Sequence, residues 1–148
     1  MIGLKVTRLH PDAKLPVVAH PGEDLGYDVF SLEALYLWAG DTHLVRTGIA
    51  VEAHHPHTRA PLGLLVRDRS SMAKRRIITT GGVIDSGYRG EILIVMTNLG
   101  DTTVEIKAGE KIAQLVPVPV LTGEVVEVGA EELSESGREA KGFGSSGK

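Results

Sequence analysis

The chain has 148 residues, of which 42% are hydrophobic, 24% charged and only 4% aromatic, with a net charge of −3 and no cysteine. That length favours one domain able to bury a core without staples, and the composition excludes a wholly disordered or collagen-like chain. The missing cysteines exclude disulfides, Cys-based zinc fingers and thiol nucleophiles, and a pI near 6.1 argues against a broad basic surface for nucleic acid.

In chain order, residues 1–14 are broken by Lys5, Arg8 and Asp12 and hold no apolar h-region, so they do not read as a signal peptide. No apolar run approaches the ~20 residues of a membrane span. The expectation is a cytoplasmic protein that engages neither membrane nor nucleic acid. Short runs rich in Val, Ile, Leu and Thr then recur, bounded by Gly, Pro, Asp or His. Residues 43–51 and 62–67 are two of them. Residues 91–97, Glu-Ile-Leu-Ile-Val-Met-Thr, are the most continuous and predict a strand buried on both faces. Residues 102–106 alternate with period two, Val104 and Ile106 inward. Residues 112–120 are apolar, but Pro117 and Pro119 forbid a central strand over their second half. The one helical candidate in the core is residues 70–76, about two turns opened by a serine cap. Many short strands at roughly 8–12-residue spacing predict an all-β sandwich, barrel or jelly roll.

Composition shifts after residue 124, giving a core over 1–124 and a glutamate-rich segment over 125–148 that has too little apolar surface to fold by itself. It reads either as a frayed terminus or as an arm. Its single Phe143, set among Gly142, Gly144, Ser145 and Ser146, favours an arm that closes over a flat ring.

Three segments can carry chemistry. Residues 81–91 hold Gly81, Gly82, Gly87 and Gly90 around Asp85 and Tyr88, the composition of a tight hairpin where backbone closely approaches another group. Asp85 is either a carboxylate aimed at a cleft, able to take a proton from water, or the anchor of an Asx-turn. Arg67, Arg69, Ser70, Ser71, Lys74, Arg75 and Arg76 gather positive charge and hydroxyls around a helix start. They form either a phosphate site or a solvated basic turn. His54, His55 and His57 lie too close together for tetrahedral metal geometry and read as a polar hairpin loop. There is no P-loop, GxGxxG or GxSxG pattern.

Taken in order, five segments resemble the motifs of the trimeric deoxyuridine triphosphate nucleotidohydrolase (dUTPase) family: residues 21–29 (PGEDLGYDV), 68–73 (DRSSMA), 82–90 (GVIDSGYRG), 109–115 (GEKIAQL), and Arg138 followed by 143–147 (FGSSG). The resemblance implies a jelly-roll-like fold with a flexible C-terminal arm and a homotrimer with active sites at subunit interfaces. The implied reaction hydrolyses dUTP to dUMP and pyrophosphate with Mg²⁺, limiting uracil in DNA and supplying dUMP for dTMP synthesis. Asp85 would activate water for attack on the α-phosphorus, with Asp28 in the outer shell of the metal. Arg69, Ser70, Ser71 and Gln114 would hold phosphate oxygens, and Arg138, Gly144, Ser145 and Ser146 would clamp the γ end. The hairpin from Thr79 through Val83 to Ile84, with Leu93, would read uracil by backbone groups. Tyr88 would exclude a 2′-OH and Phe143 would stack on the base.

The chain departs from the family pattern at Asp68, where proline is usual, at Ser71, where glycine is usual, at Thr79, where some members have asparagine, and at Glu139, Ala140 and Lys141, which stiffen the arm's hinge. The nearest competing reading, a dCTP deaminase of related fold, requires a glutamate where Val95 stands. A non-catalytic dUTP-binding regulator is the other, and retention of Asp85, Arg138 and Phe143 argues against it.

Overall fold

A computed structural model describes residues 3–144. Among the described residues the architecture is all-β, with eleven strands, one short α-helix and one 3₁₀ turn. The largest sheet runs β1 (Leu4–Arg8), β5 (Ile49–His54), β6 (Pro61–Arg67), β11 (Lys111–Pro119), β2 (Tyr27–Phe30), with β8 (Val83–Ile84) also paired to β6. A second sheet holds β4 (Thr42–Arg46), β9 (Leu93–Asn98) and β7 (Ile77–Thr80), and a two-stranded ribbon pairs β3 (Leu35–Leu37) with β10 (Val104–Ile106). All these pairings are antiparallel.

Period-two alternation sends one row of each strand inward. Val29, Leu37, Val45, Ile49, Leu64, Ile77, Ile94, Met96, Ile106, Ile112 and Leu115 form an aliphatic core between the sheets. Each such side chain contributes roughly 1.5–3 kcal/mol relative to exposure. The core also encloses Asn98, whose side chain donates to the carbonyls of Leu37 and Thr102 and accepts from Gly100 N–H, tying three connections together.

Residues 43–51 form two strands rather than one. The chain turns at Gly48, whose φ is +70° and where a Cβ would lie 2.9 Å from that of Ala13. The expected loop through His55 and His57 is the connection between β5 and β6. Residues 91–97 differ from expectation. Only Ile92, Ile94, Met96 and Asn98 face the core, while Leu93, Val95 and Thr97 look outward, because this sheet has core on one side only. β11 runs through both prolines, but β2 pairs with it only as far as Leu115. Beyond that point Pro117 and Pro119 face the unpaired edge, where their missing N–H costs no ladder bond.

The helix α1 (Ser70–Lys74) is shorter than expected, and its cap is Arg69 rather than a serine. Arg69 is extended, its carbonyl accepts from Met72 and Ala73, and its side chain is committed elsewhere. Met72 plugs the helix into the core. After β11 the described chain has one short 3₁₀ turn (Ala130–Glu132), and Leu121, Val125, Val126 and Phe143 stand exposed.

Candidate active site

Two clusters of predicted residues form, at separate places in the chain. The first is built where β2, β6 and β11 lie side by side. Their register sets Asp28 opposite Gln114, and Gln114 opposite Arg67, in one row. Arg69 follows at the start of α1 and donates from Nε to Asp28 Oδ1 at 2.9 Å. Lys111 Nζ meets the other carboxylate oxygen at 3.0 Å. Asp28 therefore carries two cations, and this half-buried group is net positive, the polarity a polyphosphate requires. Ser71 Oγ accepts from Arg69 Nη1 at 3.4 Å, so hydroxyl and guanidinium point to the same place. The first N–H groups of a helix have no intrahelical acceptor, which leaves those of Ser70 and Ser71 free to donate to an anion.

Gln114 is held by close backbone approach. A Cβ at Gly26 would lie 2.8 Å from Gln114 Oε1 and 3.2 Å from its Cβ. Its Nε2 donates to the carbonyl of Asp68 at 2.9 Å, leaving one N–H for a ligand. Asp68 itself turns away from the anion side, its Oδ1 accepting from Thr79 N–H at 2.7 Å and Thr79 Oγ1 at 2.6 Å. The loop before β2 is pinned by Asp24, which accepts from His20 N–H at 2.9 Å. That bond holds the Asp24 carboxyl below the usual range.

The second cluster is a recess of about 200 Å³ lined by Gly81, Val83, Ile84, Asp85, Tyr88, Glu91, Ile92 and Leu93. The hairpin that forms it lies on β6, where Leu65 pairs with Val83 and Leu64 with Ile84. Gly82 allows this contact, since a Cβ there would sit 2.8 Å from the Val66 carbonyl oxygen. The turn beyond closes by Tyr88 N–H on the Asp85 carbonyl at 3.0 Å, and Tyr88 Oη donates to the carbonyl of Glu91 at 3.0 Å. Asp85 does not close an Asx-turn. Among the described residues nothing donates to its carboxylate, which stands exposed on the rim.

Within one chain the two clusters do not meet. Ile84 is opposite Leu64, whereas Gln114 is opposite Arg67 across the other edge of β6. Three residues along the strand and two strand spacings across it separate them by roughly 14 Å of backbone. The recess around Asp85 and the hollow lined by Leu25, Leu65, Arg67, Asp68, Gln114 and Val116 share no residue. Arg138 and Phe143 are exposed and approach neither; among the described residues Arg138 donates only to the carbonyl of Lys141, at 2.8 Å, and Gly144 follows Phe143 at φ +86°. Ser145 and Ser146 lie outside the described residues. Thr79, expected near the base, does not line the recess, and its N–H and hydroxyl are both engaged by Asp68.

Lys111 and Glu110 were given no role from the sequence, and Arg75, expected in a phosphate site or a solvated basic turn, is engaged by Glu110. Arg75 Nη1 binds Glu110 Oε1 at 2.8 Å, joining the end of α1 to the start of β11. The available signal was the position of Glu110 and Lys111 inside the fourth motif, next to Gln114.

The family model for dUTPase matches residues 12–147. A deoxyuridine 5′-triphosphate nucleotidohydrolase of Clostridium acetobutylicum is 43% identical over 99% of this chain and 98% of its own. Among solved structures, a mutant dUTPase of Staphylococcus bacteriophage 80alpha with dUpNHpp superposes with a TM-score of 0.85 at 30% identity, covering 97% of each chain. A mutant dUTPase of phage phi11 of S. aureus, described for its coordination of a structural Mg(II) ion, gives a TM-score of 0.75 at 28% identity over 90% of this chain and 99% of that one. With motifs, fold and full-length similarity in agreement, the chain belongs to the dUTPase family.

Proposed function

We propose that this chain is a dUTP diphosphatase, hydrolysing dUTP to dUMP and pyrophosphate, and that it works as a homotrimer with its active sites at subunit interfaces. The observation that carries the reading is the unpartnered Asp85 carboxylate on the rim of a backbone-walled recess. A shared site is supported by the backbone separation of roughly 14 Å between Ile84, beside Asp85, and Gln114 within one chain. A neighbouring copy would bring the two clusters together.

In this reading the recess takes uracil. The N–H and C=O groups of the hairpin through Val83 and Ile84, with Leu93, pair with its Watson–Crick edge, and the ring of Tyr88 packs where a 2′-OH would clash. Asp85 orients a water and accepts its proton as the water oxygen bonds to the α-phosphorus. The bond from that phosphorus to the bridging oxygen breaks, and the electron pair leaves on pyrophosphate. Arg69, Ser70, the N–H of Ser71, Gln114 and Lys111 hold the β- and γ-phosphate oxygens and stabilise the leaving charge, the main resources for phosphoryl chemistry. Residues 125–148 act as an arm on the 1–124 core: Arg138, Gly144, Ser145 and Ser146 clamp the γ end and Phe143 stacks on uracil, a use that accounts for its exposure.

The donors fit Mg²⁺ in one way only. Both Asp28 oxygens are engaged by cations, and no group of three His, Asp or Glu side chains among the described residues surrounds a common point. That set suits a hydrated ion carried on triphosphate oxygens, touched by Asp28 through water, and does not suit a protein cage. When bound, the ion would supply charge neutralisation to the phosphates. No helix among the described residues is long and apolar enough to cross a membrane, and we place the enzyme in the cytoplasm.

The test is product analysis with Mg²⁺ and dUTP, dCTP, dTTP or UTP, following pyrophosphate and ammonia together. Pyrophosphate from dUTP alone supports the reading. Ammonia from dCTP would establish a deaminase despite Val95, and dUTP binding without product would establish a regulator.

A further inference from the structure

The geometry points to Asp68 as a positioning residue for the triphosphate, acting through Gln114 and through the loop that begins at Arg69; this rests on the diphosphatase reading above. Asp68 is the first of the two residues between β6 and α1 and is hydrogen-bonded to two strands at once, β7 and β11. Its carboxylate Oδ1 takes both donors of Thr79 on β7, at 2.7 and 2.6 Å. Its carbonyl takes Gln114 Nε2 on β11 at 2.9 Å. It therefore spans from the large sheet to the three-stranded one at the level where the phosphate loop leaves.

An anion next to a phosphate site opposes binding by Coulomb repulsion unless it does something that compensates. Here the carboxylate is turned away and spent on Thr79, fixing the peptide whose carbonyl orients the Gln114 carboxamide and whose next residue is Arg69. Thr79 is half-buried and supplies N–H and O–H in the geometry that one carboxylate oxygen accepts. Asp68 and Thr79, which each looked like an unrelated departure from the family pattern, thus form one latch.

The sign of the charge term separates this latch from a merely exposed turn residue. If Asp68 were only surface, removing its charge would leave triphosphate binding unchanged or strengthen it. As a latch, Asp68→Ala weakens dUpNHpp binding by about tenfold, the effect of one lost charge-assisted hydrogen bond. Binding of dUMP, which lacks the β- and γ-phosphates, stays within about twofold in the same variant, because only the orientation of the phosphate ligands is lost. Asp68→Asn keeps the Oδ1 acceptor and removes the charge, so it binds dUpNHpp at least as tightly as the unaltered protein. Thr79→Val falls between, and Thr79→Ser restores full affinity.

The experiment is titration calorimetry of the intact protein and these four variants with dUpNHpp and with dUMP. Weakening confined to dUpNHpp in Asp68→Ala, with rescue in Asp68→Asn, is the expected result. Equal or tighter dUpNHpp binding by Asp68→Ala overturns the latch, as does an equal loss of both nucleotides or a failure of Asp68→Asn to rescue. An unaltered protein that binds neither nucleotide and releases no pyrophosphate overturns the diphosphatase reading itself.

Discussion

Arg75 Nη1 lies 2.8 Å from Glu110 Oε1, while Arg75 Nη2 donates to the Glu105 carbonyl at 2.7 Å and Glu110 Oε2 accepts from Lys107 N–H at 2.8 Å. The end of the helix that carries the phosphate loop is thus bolted to the strand that carries Lys111 and Gln114. The pair is about a third exposed, so its ionic part is screened and the contribution rests mainly on hydrogen bonds held in fixed geometry. Arg75→Met is expected to destabilise by about 1 kcal/mol. Thermal unfolding reads this as a Tm lower by a few degrees, and steady-state kinetics as a raised KM for dUTP with kcat nearly kept.

Asp85 lacks any donor among the described residues, so replacing it should disturb no internal bond. Asp85→Asn is expected to lower kcat by roughly 10²–10⁴, the usual value of a positioned general base, while dUpNHpp affinity stays unchanged. Loss of binding along with rate would assign Asp85 to substrate holding instead.

A site divided between copies makes a sharper demand. Asp85→Asn and Gln114→Ala chains should each be nearly inactive alone. Unfolded together in equal amounts and refolded, they should regain up to roughly a quarter of the unaltered activity, the chance that a random interface pairs two intact halves. Equal inactivity before and after mixing would mean that each chain completes its own site.

Arg76 ends α1 with φ 61°, the left-handed conformation that glycine adopts without cost, and its carbonyl accepts Leu99 N–H at 2.9 Å. Arg76→Gly keeps that bond and relieves the strain. Denaturant unfolding should show a gain of about 1 kcal/mol, with catalysis unaltered.

Much of this protein was legible as a string of residues. Period-two patterning at Val104 and Ile106 and the apolar run through Leu64 depend on neighbours close in sequence, and these elements formed as read. So did the glycine-rich hairpin around Asp85, because four glycines in ten residues admit few alternatives to close backbone approach. The misjudged features all involve partners distant in sequence. The helix cap moved to Arg69 because its guanidinium answers Asp28, and β11 tolerates its prolines because β2 stops at Leu115.

The sequence by itself therefore determined the all-β class, the aliphatic core and the family, since motif order and alternation are local properties that survive without coordinates. Only the tertiary structure decided which residues share a site. Strand register set Asp28 against Gln114, delivered Lys111 to the same carboxylate as Arg69, turned Asp68 onto Thr79, and held Asp85 two strands away from the phosphate cluster. Such relations depend on which strand lies beside which, and that is decided by how the whole chain buries its apolar rows at once.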